Sequence, residues 1–190
     1  VDTFFFVLQF FYRHRTILGG HGALVYLAGA EAGGNLAAAV ALMARDQAHP
    51  PLAGQILLSP MLDPCVGSAS QRRTTGDAVD CKWVQGWRNF LRCPRDAEHP
   101  YAVPASAHRL AGLPPTLVLV GDTDPMRDEA LAYAARLHAA GLQVTQHVFA
   151  KAEKWPEPLL ETGPHECPCA GAVQEEFRRF FEATRCRESS

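Results

Sequence analysis

Residues Gly29-Ala30-Glu31-Ala32-Gly33 set an acidic side chain between two glycines. The run before them, Ala23-Leu24-Val25-Tyr26-Leu27-Ala28, is strand-like, and the run after them, Asn35 to Arg45, is helix-like. A strand, a sharp glycine-flanked turn and a small-residue helix form the setting of a nucleophile elbow, in which the central side chain is thrust out at the strand end. That pattern asks for Gly-x-Ser-x-Gly, and here Glu31 stands at the central position. A carboxylate can itself act as a covalent nucleophile, although glutamate is longer than serine and acidic. No other Gly-x-Ser-x-Gly occurs: Ser59 ends a strand-like run, and Gly67-Ser68 falls in a polar stretch.

A second group with chemical capacity is His165-x-Cys167-x-Cys169. It lacks a second ligand pair at zinc-site spacing, so no metal and no cofactor are expected. The six cysteines are irregularly spaced in a chain large enough to build a core without covalent staples. Reduced thiols and a cytoplasmic location are therefore expected. The 190 residues carry a formal net charge of -2, with 47% hydrophobic and 20% charged residues. That is ordinary globular composition, and no basic cluster exceeds Arg72-Arg73, which argues against a nucleic-acid surface.

The elements that must position Glu31 follow from the hydrophobic pattern. Residues 2–17, with Phe4-Phe5-Phe6-Val7-Leu8-Gln9-Phe10-Phe11-Tyr12 at their centre, read as a helix buried on more than one side. The apolar run is too short to span a bilayer, and the charges around it do not suit a signal peptide. Strands are expected at 23–28, 55–58, 116–120 and 142–149, and helices at 35–45, 128–140 and 171–184. The last helix should turn Val173, Phe177 and Phe181 to one face and pair Glu175 with Arg179. Residues 61–105 are the least regular, with a polar loop over 67–76, an aromatic helix over 80–91, and Pro94, Pro100 and Pro104 beyond it. Alternating strands and helices imply an α/β fold with a mostly parallel sheet of about four strands flanked by helices. Residues 1–190 read as one domain, with 61–105 as a lid or substrate-facing insertion.

Several motifs together carry a family resemblance over residues 2–184. Gly29-x-Glu31-x-Gly33-Gly34-Asn35-Leu36-Ala37 is similar to the Gly-Asp-Ser-Ala-Gly-Gly-Asn-Leu-Ala elbow of the hormone-sensitive-lipase-like esterases, a group of α/β-hydrolases. Tyr101-Ala102-x-Pro104 and Leu110-x-Gly112-Leu113-Pro114-Pro115 resemble that group's approach to its penultimate strand. Gly121-Asp122-x-Asp124-Pro125-Met126-Arg127-Asp128-Glu129 resembles its acid motif. The resemblance implies a partial α/β-hydrolase fold, its C-terminal portion, acting by ancestry on small acyl or aryl esters.

The family's chemistry is acyl transfer to a serine, with a histidine to take its proton and a carboxylate to orient the histidine. The resemblance puts Asp124 at the acid position. It puts Lys154 where the family has its histidine, and a lysine of ordinary pKa is protonated at neutral pH. His165, in the same loop, is the substitute base if one exists. The family's His-Gly-Gly-Gly oxyanion loop has no counterpart: Gly19-Gly20-His21-Gly22 matches the turn into the elbow strand instead. The Ala32 N–H is left as one oxyanion donor, and lack of its partner would forgo on the order of 3 kcal/mol.

The expectation is thus a carboxylic-ester hydrolase family member with reduced or absent turnover. The alternatives are a working hydrolase with rearranged groups (Glu31, Asp124, His165) and a non-catalytic module that binds a ligand or partner. A small ester-like ligand is expected, with no nucleic acid and no membrane span. The chain does not begin with methionine, and by the resemblance the first strands are expected to be absent. An open hydrophobic sheet edge at 23–28 should then promote self-association.

Overall fold

The computed structural model describes residues 1–65, 67–75, 82–150, 155–156 and 169–185. Four parallel strands form one sheet in the order β1-β2-β3-β4: β1 (Tyr26–Ala30), β2 (Gly54–Leu58), β3 (Thr116–Gly121) and β4 (Val144–Phe149). Parallel neighbours need a crossover between them. Helix α2 (Ala32–Asp46) links β1 to β2, and α5 (Arg127–Ala139) links β3 to β4. The connection from β2 to β3 carries α3 (Ala69–Thr75), α4 (Lys82–Phe90) and two single-turn 3-10 helices, Pro94–Glu98 and Pro104–Ser106. Helix α1 (Asp2–Gly19) precedes the sheet and α6 (Ala170–Arg185) follows it.

The alternation of side chains along β2 and β3 divides the core in two. Leu57 and its register partner Val118 face α2 and α5, joining Ala38, Leu42, Tyr133 and Leu137. Ile56 and Leu117, also in register, face the other side with Leu119, Phe149, Val173 and Phe180. Both faces are covered, which is why β3 reads as an unbroken apolar run. The small residues of α2 are the means of close approach: Ala38, Ala39, Ala41 and Leu42 have no exposed surface at all. The α/β reading with four parallel strands holds.

Three expectations change. Helix α1 forms, but only Phe5 and Leu8 are buried, against Val40, Met43 and Ala44 of α2. Phe4, Phe6, Phe10 and Phe11 are exposed, Phe6 by 67%, because α2 is the helix that α1 packs on and meets just one of its faces. The edge strand is Tyr26–Ala30 rather than 23–28, so it runs into the elbow itself. The polar stretch 67–76 contains a short helix, α3, tied to α5 by the Ser70 hydroxyl donating to Pro125 O at 2.7 Å and the Ser70 N–H to Asp128 at 2.7 Å.

On α6 the Glu175–Arg179 pair forms as expected, at 2.8 Å, and Arg178 joins it. The buried face is Val173, Phe180 and Thr184, whereas Phe181 is 37% exposed. Cys65 and Cys93 are free, but Cys169 is disulfide-bonded, which corrects the expectation of uniformly reduced thiols. Pairing depends on which cysteines meet in space, and their sequence spacing did not reveal it. Among the described residues no helix is long and apolar enough to cross a membrane.

Candidate active site

All the chemistry-bearing positions that the structure describes lie at the C-terminal ends of the parallel strands, where an open α/β sheet binds its ligands. Glu31 follows β1 directly and precedes α2, at φ 48° and ψ -116°. A positive φ is uncommon for a residue with a side chain and marks local strain, and strain at this turn is what a nucleophile elbow requires. The turn is held by Glu31 N–H donating to Leu58 O at 2.9 Å, and by Gly34 and Met61 N–H groups donating to Glu31 O.

The flanking glycines show why the frame persists. A Cβ on Gly29 would collide with the backbone carbonyl of Gly33, and one on Gly34 would lie 2.9 Å from Pro60 Cα. Neither neighbour is a flexible side chain, so the tight turn needs glycine at both places. Glutamate has thus been accommodated in the elbow with its backbone geometry intact. Ala32, next to Glu31, is the first residue of α2. The first N–H groups of a helix have no intrahelical acceptor, so its N–H is a donor at the elbow.

Asp124 stands just beyond β3, 3% exposed. Its Oδ1 accepts the Met126 N–H at 2.8 Å, and its Oδ2 accepts the hydroxyl of Ser59. Ser59, fully buried after β2 at φ 43°, also accepts the Trp155 indole N–H at 2.7 Å. Burial pushes the Asp124 carboxyl above its ordinary value. The hydrogen bonds from Ser59 and Met126 oppose that rise, and the negative charge of Glu31 adds to it. Glu31 and Asp124 therefore share one electrostatic neighbourhood. Lys154 and His165 lie outside the described residues.

A cavity of about 240 Å³ opens over the elbow. Glu31, Asn35 and Met61 line one side, and α4 supplies Trp83, Trp87 and Phe90. Residues 83, 87 and 90 share one face of α4 by helical spacing, and Trp87 is buried. The aromatic helix expected within 61–105 is thus the wall that faces Glu31.

Reasoning on sequence alone missed three participants. Ser59 was expected only to stop a strand; Ser-Pro at a strand's C-terminal end, in a parallel sheet, was the signal that it faces the site. Trp155 directly follows the Lys154 position and carries its indole to Ser59. Glu129, the last residue of the acid motif, is buried, and its Oε2 accepts the Asp63 N–H at 2.8 Å. Burial pushes its carboxyl up to about 8, and the charges of Asp63 and Asp124 contribute to the rise.

An elbow after the first strand with an aromatic-walled cavity over it, and an acid after the third strand, define an α/β-hydrolase type of site. Residues 1–153 match the α/β-hydrolase fold family model, and the chain belongs to that family. Esterase LipI of Mycobacterium tuberculosis is 32% identical over 139 residues, covering 71% of this chain and 43% of the relative. Gibberellin receptor GID1A of Arabidopsis thaliana is 38% identical over 128 residues, covering 63% of this chain and 36% of the receptor. Among solved structures, a bacterial heroin esterase matches with a TM-score of 0.71 and 28% identity, covering 95% of this chain and 57% of that one. The chain spans less than half the length of these two curated relatives. The relatives this chain is similar to thus include esterases as well as a receptor.

Proposed function

We propose that this chain keeps the family's cavity for a small acyl or aryl ligand but has lost efficient ester turnover. The observation that carries this is Glu31 in the strained elbow geometry, on the wall of an apolar cavity of about 240 Å³. Acyl transfer builds negative charge on the carbonyl oxygen, and the site must stabilise it. Here the elbow side chain is itself a carboxylate, with Asp124 in its electrostatic neighbourhood, so the developing charge meets repulsion. Ligand binding without turnover is compatible with the gibberellin receptor among the relatives, a protein named for reception rather than hydrolysis. In this reading residues 61–105 act as the insertion that covers the site within a single domain, and the exposed edge beside Glu31 promotes self-association.

The test is hydrolysis of phenyl acetate by the wild type, Glu31→Ala and Glu31→Ser. The expected result is no turnover in any of the three, because by the resemblance a serine restored alone still meets Lys154 at the position where the family has its histidine. Turnover by the wild type that disappears in Glu31→Ala would establish instead a working hydrolase using Glu31, Asp124 and His165. Saturable quenching of tryptophan fluorescence by the unreacted ester would show that the cavity is still a ligand site.

A further inference from the structure

We propose that Gly86 is the specificity-determining residue of the elbow cavity, a notch in an aromatic stripe that admits a flat aryl group in preference to a thicker ring. This rests on the reading of the cavity as a ligand site and names the class of its occupant. The first observation is the place of the glycine. Gly86 stands inside α4, where glycine is among the poorest helix formers, and it lines the cavity over Glu31. Residues 83, 86, 87 and 90 follow the i, i+3, i+4, i+7 spacing of one helix face. The glycine therefore interrupts a stripe of three aromatic side chains, Trp83, Trp87 and Phe90, that wall the same cavity.

Packing does not demand glycine at this position. Gly29 and Gly34 are required by close backbone contacts, and Gly112 and Gly141 have a positive φ. Gly86 has neither reason: it is helical, without a positive φ, and a Cβ added to it would meet Met61 Cε at 3.9 Å, an ordinary van der Waals separation. No other described atom beyond its own helix backbone and chain neighbours lies within 4 Å of that Cβ. Alanine would fit and would serve α4 better. What glycine alone leaves is room at the cavity wall.

The second observation is what surrounds that room. Trp87 is buried and Phe90 exposed, with their rings 6.0 Å apart and inclined at 64° in an edge-to-face pair. One face of Trp83 carries the Lys82 ammonium, whose Nζ stands 4.9 Å from the ring centroid. Met61, fixed to the elbow by its N–H donating to Glu31 O, faces the glycine with a flexible thioether that can adapt to a ring. An aryl group in the notch would join these rings at the offset or edge-to-face separations that aromatic pairs prefer. A cyclohexyl group of the same ring size is puckered and thicker, and it carries more apolar surface. By apolar area alone it would bind better, so a preference for phenyl reports the notch and its aromatic border.

The test titrates phenyl acetate and cyclohexyl acetate into the chain, followed by ligand-observed nuclear magnetic resonance, for the wild type, Gly86→Ala and Gly86→Leu. The wild type is expected to bind phenyl acetate roughly three- to tenfold more tightly than cyclohexyl acetate, the range that an added aromatic contact supplies. Gly86→Ala puts a methyl group in the notch and is expected to erase that preference. Gly86→Leu fills the space before Met61 and is expected to abolish phenyl acetate binding. Both substitutions favour α4, so helix content by circular dichroism should hold or rise. If Gly86→Leu fails to fold, Gly86→Ala decides alone. Equal or tighter binding of cyclohexyl acetate by the wild type overturns the notch proposal and leaves the ligand-site reading standing, as does a phenyl preference that survives in Gly86→Ala. Failure of both esters to bind folded wild-type protein overturns the ligand-site reading with it.

Discussion

The hydroxyl of Ser59 donates to Asp124 Oδ2, joining the ends of β2 and β3 inside the sheet's C-terminal rim. Ser59 Oγ in turn accepts the Trp155 indole N–H, so three residues from three connections form one buried chain. An acid in this arrangement is held by fixed donors whether or not a histidine reaches it. That explains how a carboxylate stays well placed in a site whose elbow carries Glu31: Asp124 has structural partners of its own.

Replacing Ser59 tests this directly. Ser59→Ala removes one donor from Asp124 and strands the Trp155 N–H in a buried place. Each orphaned group costs about 1–3 kcal/mol, so a comparable loss of unfolding free energy is expected in urea titrations. Asp124 should also titrate higher, since the Ser59 hydrogen bond is what chiefly opposes its burial. A variant as stable as the wild type would show that the chain of hydrogen bonds contributes nothing.

The elbow glycines make contrasting demands. Gly29→Ala drives a Cβ into the Gly33 carbonyl, where only backbone could yield, and should destabilise by about 1–3 kcal/mol or more. Gly33→Ala meets nothing within 4 Å and sits inside α2. Alanine is the better helix former by up to about 1 kcal/mol, so this variant should be as stable as the wild type or slightly more so. Thermal or urea unfolding of the two side by side decides the matter.

These positions also show what was legible in the chain. The strand β3 and the helix α2 could be read off, because burial on both faces leaves an apolar run and close packing leaves a row of alanines. The elbow was legible because Gly29 and Gly34 are local requirements. The Ser59–Asp124 contact was not, since it joins residues 65 apart and no periodicity encodes it. Helix α1 misled for a related reason: phenylalanines on most of its faces say that burial is favourable, not that a partner is present on every side.

Glu129 makes stability depend on pH. Its folded-state pKa of about 8 lies above the ordinary 4.5, so the native state holds a proton that the unfolded chain releases between those values. Stability from this group is fully present below about pH 4.5 and is lost as pH rises toward 8. The whole shift corresponds to roughly 5 kcal/mol. Glu129→Gln keeps the acceptor for the Asp63 N–H without a titrating proton. The expected outcome is that the variant gains on the wild type as pH is raised from 5 to about 8. A constant difference across that range would show that Glu129 does not titrate there.

The last prediction concerns the open side of the molecule. Among the described residues β1 is paired through β2 alone, and its other edge leaves backbone N–H and C=O groups available to another chain. Beside it, α1 exposes Phe4, Phe6, Phe10 and Phe11. Apolar burial is worth about 25 cal/mol per Å² removed from water, so a second copy laid on this face would gain from covering it. Sedimentation velocity over a concentration series should therefore show this chain associating. Phe6→Lys with Phe10→Lys places charges on the outer face of α1, away from the buried Phe5 and Leu8, and should shift the population to monomer without loss of helix by circular dichroism. A wild type that sediments as a single monomer throughout would mean that the exposed face and edge do not drive association.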